Sequence, residues 1–158
     1  MAMEREYFTI KLTAEIDLGV ALADMTTAVQ FETKNICVVP GVAEFWYGVV
    51  NYQGGLLWVL DSDRFFECSD NGEPFQKLTA IIVRDRVAGD RKRVAIVTPQ
   101  LKGIVAVEPT NLSSLADNRT SRLHQCCSAV VQTAVKAIYL IDPAALLQEI
   151  HQESSILT

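Results

Sequence analysis

The stretch Ile36-Cys37-Val38-Val39-Pro40-Gly41-Val42-Ala43-Glu44-Phe45-Trp46-Tyr47-Gly48-Val49-Val50-Asn51-Tyr52-Gln53-Gly54-Gly55-Leu56-Leu57-Trp58-Val59-Leu60-Asp61 decides the fold. It opens on a short β-branched run, Ile36 to Val39, which Pro40-Gly41 ends. Val49 to Tyr52 and Leu56 to Leu60 are apolar runs on either side of Gly54-Gly55. They read as a β-hairpin, with the glycines supplying the positive φ that a tight turn demands. Asp61 to Phe66 reads as a short helical turn, because an Asp side chain there can accept backbone N–H groups.

The same texture extends in both directions. Upstream, Phe8, Ile10 and Leu12 alternate with Tyr7, Thr9 and Lys11, the period of a half-buried strand. Leu18, Val20 and Leu22 alternate with small residues in a second strand, and Asp24 to Gln30 reads as a helical turn capped by Asp24. Downstream, Cys68 to Gln76 is a polar loop. Leu78 to Arg84 and Val94 to Thr98 form a second hairpin across a charged loop holding Gly89-Asp90. Ile104 to Val107 is a strand closed by Pro109, and Thr110 to Ser121 is irregular. Ala129 to Thr133 and Val135 to Ile141 are a last strand pair. A helix follows, with Asp142 at its cap and Pro143 at its first position, where a missing N–H is harmless. Leu146, Leu147 and Ile150 are its apolar stripe. About ten short strands and one terminal helix make an all-β chain built as barrels or a sandwich, not as βαβ units.

Composition narrows the function. The chain has 158 residues, 49% of them apolar and 21% charged, with a formal net charge of −5. Length alone fits a single domain over 1–158, or two small lobes sharing a core, with flexible ends at 1–6 and 152–158. A mean hydropathy of +0.18 implies either a very apolar interior or apolar surface kept for partners. The acidic balance argues against nucleic acid, and the basic residues between Arg84 and Arg93 are interrupted by Asp85 and Asp90, as in a solvated loop. No segment is long enough to insert in a membrane, and the acidic start Met1 to Glu6 lacks a signal-peptide core, so a cytoplasmic location is expected.

Residues that could carry chemistry are few. Cys37, Cys68, Cys126 and Cys127 make no paired C-x-x-C spacing, so neither a metal site nor a cofactor is expected. On a strand, Cys126 and Cys127 would point to opposite faces, one thiol in the core and one at the surface. His124 and Cys126 would then share a face, the one conceivable nucleophile pair, with no third group to orient it. Asp61 and Asp63 could form an acid/base or metal pair, but capping the turn is the simpler role. Trp46 and Tyr47, beside Phe45, read as packing or as a protein interface. A thiol-dependent enzyme would require a depressed cysteine pKa. A small-ligand sensor would require a cavity between the lobes.

The central stretch resembles the CheW domain. In that family the pattern runs isoleucine, valine-proline, phenylalanine, glycine-valine-isoleucine-asparagine-leucine-arginine-glycine, then a strand ending valine-isoleucine-aspartate-leucine. Pro40, Phe45, Gly48, Val49, Asn51, Gly54, Val59 and Asp61 stand in that register without gaps. Tyr7 to Leu12, Lys102 to Val107 and Tyr139 to Leu147 resemble the first strand, a later strand and the closing helix. The resemblance implies two five-stranded SH3-like barrels joined by an apolar seam. It implies a non-enzymatic adaptor that binds the regulatory domain of a CheA-like histidine kinase, the cytoplasmic coiled-coil tip of a chemoreceptor, and CheW paralogues. The partner-binding positions it points to are Val29, Gln30, Val38, Phe45, Trp46, Tyr47, Asn51, Tyr52, Gln53 and Gly54. Two departures stand out. Gln53 occupies the place of the family's arginine and Tyr52 that of a leucine, while a glutamate common in the family falls near Val29 or Gln30. This divergence is similar to that of cyanobacterial pilus-motility and phototaxis adaptors.

Overall fold

The computed structural model describes residues 4–68, 76–85, 93–115 and 121–153. The ten strands are β1 (Arg5–Lys11), β2 (Ile16–Ala21), β3 (Met25–Glu32), β4 (Trp46–Tyr52), β5 (Gly55–Asp61), β6 (Lys77–Arg84), β7 (Arg93–Thr98), β8 (Leu101–Val107), β9 (Cys127–Gln132) and β10 (Ala137–Ile141). Among the described residues three α-helices accompany them: α1 (Ser62–Phe65), α2 (Arg122–Cys126) and α3 (Pro143–Glu153). The strands divide into two curled five-stranded sheets, ordered β8-β1-β2-β10-β9 and β3-β6-β7-β5-β4. The two ends of the chain therefore build one lobe and its middle builds the other. Each sheet contains one parallel pair, β2 with β10 and β5 with β7.

In the second sheet, the central strands β6 and β7 are buried on both faces. Val50, Leu57, Val59, Ala80, Ile82 and Ala95 fill its own barrel. Leu60, Ile81, Val83, Val94 and Ile96 face a shared seam, where they meet Ile10, Leu18 and Val20 of the first sheet and Leu146 and Ile150 of α3. Strands buried on two sides read as continuous apolar runs, as Ala80 to Val83 does. This double burial accounts for the high hydropathy. The first lobe keeps its own interior around Tyr7, Val107, Val131, Ile138 and Leu140.

The helix ends are capped as their residue types require. Asp61 accepts N–H bonds from Asp63 (3.1 Å) and Arg64 (3.3 Å) at the start of α1. Asp142 accepts from Ala144 (3.1 Å) and Ala145 (3.4 Å) at the start of α3. Leu146 and Ile150 of the expected stripe are buried, while Leu147 is half-buried.

Several expectations are corrected. Asp24 to Gln30 is not a helical turn. A 3-10 turn over Leu22–Asp24 leads directly into β3, whose Met25, Thr27, Val29 and Phe31 alternate inward and pair with β6. Barrel pairing has overridden the weak local turn signal, and Thr26, Thr27 and Val29 suit a strand in any case. The β-branched run Ile36 to Val39 contributes one bridge, Cys37 with Val49. The described part of Thr110 to Ser121 is largely irregular, holding the end of the 3-10 turn Pro109–Asn111 and one isolated bridge from Ser113 to Val130; residues 116–120 lie outside the described residues. His124 and Cys126 lie on α2, not on a strand, with the Ser121 side chain accepting from the His124 N–H as its cap. Cys126 and Cys127 are both buried, because the helix-to-strand junction turns both inward. Arg5 and Glu6, expected in a flexible end, pair with Val107 and Ala106, and 152–153 belong to α3. Residues 1–3 and 154–158, and most of the loops at 68–76 and 84–93, lie outside the described residues.

Candidate partner-docking surface

The β4–β5 hairpin carries most of the predicted contact residues, and its register determines where each one points. Tyr52 pairs with Gly55, so the turn holds only Gln53 and Gly54. Both have positive φ, 50° and 79°, the signature of a type I′ turn. The expectation that Gly54-Gly55 would form the turn is thus shifted by one residue. Gln53 takes the first left-handed position, and Gly55 sits in extended pairing.

Residues opposite one another in an antiparallel ladder share a face. Tyr52, Val50 and Leu57 face the barrel interior, where the Phe31 and Tyr52 rings meet edge to face at 6.4 Å. On the outer face Asn51 lies opposite Leu56, Val49 opposite Trp58, and Trp46 opposite Leu60. Cys37 bridges the free edge of Val49 through bonds of 2.8 and 2.9 Å. An apolar strip therefore runs from the exposed tip into the seam. Leu56 is 70% exposed, Trp58 half-buried and Trp46 7% exposed.

This geometry sorts the predicted residues. Gln30, Val38, Asn51, Gln53 and Gly54 are exposed, Val38 at 76%. Val29, Tyr47 and Tyr52 are half-buried against the second barrel's core. Phe45 and Trp46 are buried in the seam, so they stand behind the surface rather than on it. Phe45 packs tilted against Trp46 (5.4 Å) and edge to face with Phe65 (4.9 Å), and Arg122 covers the Phe45 and Phe65 rings. Three neighbours were not singled out from the sequence: Leu56, Trp58 and Arg93. Leu56 was legible as an outward position only once the turn was set at Gln53-Gly54. Arg93 is far away in sequence; its guanidinium lies 5.6 Å from the Tyr52 ring centroid and donates to the Tyr52 carbonyl at 3.4 Å.

Gly48 fixes the crossing of β4 behind this surface. Its φ is +142°, and a Cβ built there would lie 2.2 Å from the Cys37 carbonyl oxygen. Tyr47 sits at the adjoining irregularity between Trp46 and Gly48. Burial, then the neighbouring Asp61 charge and hydrogen bond, push its phenol up to about 12. A cleft of about 160 Å³ beside it is lined by Tyr47, Asp61, Asp63, Lys77 and Thr98 among others.

The other chemical readings meet physical obstacles. Burial raises the Cys126 thiol to about 12, and it raises Cys127 further, the reverse of an activated nucleophile. The His124 Nδ1 is engaged with the Ser121 hydroxyl at 2.6 Å. The seam, where a ligand between lobes would sit, is occupied by Leu60, Phe65, Ile96, Leu146 and Ile150, each 0% exposed. Among the described residues no helix is long and apolar enough to cross a membrane, and no cluster of metal-ligating side chains occurs.

The family model described as "CheW-like domain" matches residues 6–151, from β1 to α3. The chain belongs to the CheW-like domain family. Among solved structures, this CheW-like chain is similar to scaffolding protein TtCheW from Thermoanaerobacter tengcongensis, with a TM-score of 0.74 and 18% sequence identity. The similarity covers 89% of this chain and 90% of that one, and at such identity it is a likeness of fold. No curated protein matches the chain. Membership supports a scaffold or adaptor role in chemotaxis signalling.

Proposed function

We propose that this CheW-like chain is a cytoplasmic, non-enzymatic adaptor that couples receptor state to a CheA-like histidine kinase. Its partners are the kinase regulatory domain and the coiled-coil tip of a methyl-accepting-type receptor, with CheW paralogues as further candidates. The observation that carries the reading is the family match over residues 6–151. The outer strip of the β4–β5 hairpin supplies a physical means, an apolar face rimmed by polar Asn51 and Gln53. An apolar core within a polar rim is the common anatomy of a protein interface.

The test is direct. The purified chain is titrated with the kinase regulatory domain and with a receptor-tip fragment from the same genome. Saturable binding to both, and receptor-dependent control of kinase autophosphorylation when the three are combined, is the expected result. Binding to neither would reject the adaptor reading. The departures at Tyr52 and Gln53 further favour service in pilus motility or phototaxis over flagellar taxis. Deleting the gene should then impair surface motility and leave swimming intact; a swimming defect alone would reverse that assignment.

A further inference from the structure

Arg93 begins β7 and lies beneath the turn of the β4–β5 hairpin, between Tyr52 and Gly55. Its Nη2 donates to the Tyr52 carbonyl at 3.4 Å, and its guanidinium carbon lies 5.6 Å from the Tyr52 ring centroid. A Cβ at Gly55 would lie 3.5 Å from the same Nη2, an ordinary contact distance that sets the guanidinium against the turn. Arg84 stands opposite Arg93 in the β6–β7 ladder, which gives this end of the barrel two guanidinium groups in a chain of net charge −5.

Two neutral contacts do not satisfy an arginine. A guanidinium has five N–H donors in a planar fork, and among the described residues no carboxylate pairs with Arg93. The tip itself has none to offer, since position 53 is a glutamine.

We infer that Arg93 receives an aspartate or glutamate side chain of the protein partner at the β4–β5 turn, providing from β7 the positive charge that Gln53 does not provide from the turn. The partner segment places its carboxylate on the Arg93 fork, at the face of the turn that carries Tyr52 and Gly55. This inference rests on the adaptor reading for the identity of the partner.

The experiment titrates wild type, Arg93→Gln, Arg93→Lys and the double variant Gln53→Arg/Arg93→Gln with the kinase regulatory domain and the receptor-tip fragment, at two salt concentrations. For at least one partner, Arg93→Gln is expected to weaken binding roughly tenfold and to flatten its salt dependence, with Arg93→Lys intermediate. The double variant should recover most of the affinity, because it restores a cation to the turn. Unchanged affinity and salt slope in Arg93→Gln, with wild type still binding, overturns the inference and leaves the adaptor reading standing. Loss without recovery in the double variant also overturns it, since Arg93 would then only brace Tyr52. If Arg93→Gln abolishes self-association of the chain and spares both partners, the contact is between copies and the inference falls. If wild type binds neither partner, the adaptor reading falls and takes this inference with it.

Discussion

At the scale of single residues, backbone conformation dominates the hairpin surface. Gly48 combines a left-handed φ with a Cys37 carbonyl oxygen 2.2 Å from where a Cβ would be. Gly48→Ala should therefore destabilise the protein by roughly 2–4 kcal/mol, read as a lower denaturant midpoint at constant slope; a change near zero would show that the crossing relaxes freely. Gln53 presents the converse case, a non-glycine side chain at φ 50°. Asparagine is the preferred residue at that position of a type I′ turn. Gln53→Asn should raise stability by about 0.5–1 kcal/mol, measured the same way. Asp61 and Gly54 were legible in the sequence, because a capping carboxylate and a turn glycine act through their own neighbours. The placement of Gln53 was not, because Gly54-Gly55 offered a competing turn, and only the pairing of Tyr52 with Gly55 resolves the register.

At the scale of elements, α3 closes the seam, and its two leucines are unequal. Leu146 is fully buried between the lobes, whereas Leu147 lies at the margin of the cluster. Leu146→Ala should cost about 3 kcal/mol and Leu147→Ala about 1 kcal/mol, compared by equilibrium unfolding of the two variants. Equal losses would mean that the stripe is buried symmetrically. The helix itself was readable from Asp142-Pro143 and its stripe. α2 was not: five residues carry little periodicity, and only Ser121, three residues before His124, signalled a cap. β3 was misread for a related reason. Its turn-like opening at Asp24 is local, while the force that extends it is pairing with β6, more than forty residues away in sequence.

At the scale of the whole molecule, one seam serves both lobes, and its thiols titrate with folding. Cys126 rises from an ordinary 9.0 to about 12, Cys127 rises further from 9.0, and Tyr47 rises from 10.0 to about 12, each chiefly through burial. The folded chain therefore holds protons that the unfolded chain releases first. Stability from these groups is complete below pH 9, and it declines as pH climbs from 9 towards 12. Unfolding free energies measured between pH 8 and 11 should fall steadily, and Cys126→Ala should make the decline shallower. A flat profile would show that the thiols do not report burial. The shared seam also predicts one cooperative transition. Ile138→Ala, inside the first lobe, should shift the fluorescence midpoint of Trp46 and Trp58 as far as it shifts far-ultraviolet circular dichroism. Separate midpoints would mean that the lobes unfold independently.

The amino-acid order by itself determined the strand-rich class, two of the hairpins, the cap and stripe of α3, and the register from Pro40 to Asp61 by which the family is legible. These depend on periods of two and 3.6 residues, and on turn and cap chemistry that acts within a few residues. Tertiary structure alone decided that β6 and β7 are covered on both faces, and that Phe45, Trp46, Cys126 and Cys127 are interior. It also decided that Arg93 stands beneath the turn at Gln53. Those outcomes depend on which strands become neighbours, and chain closure brings together segments that no local period relates. Gln53 began as a missing charge in the deciding stretch, and the fold places a cation from another strand beside it.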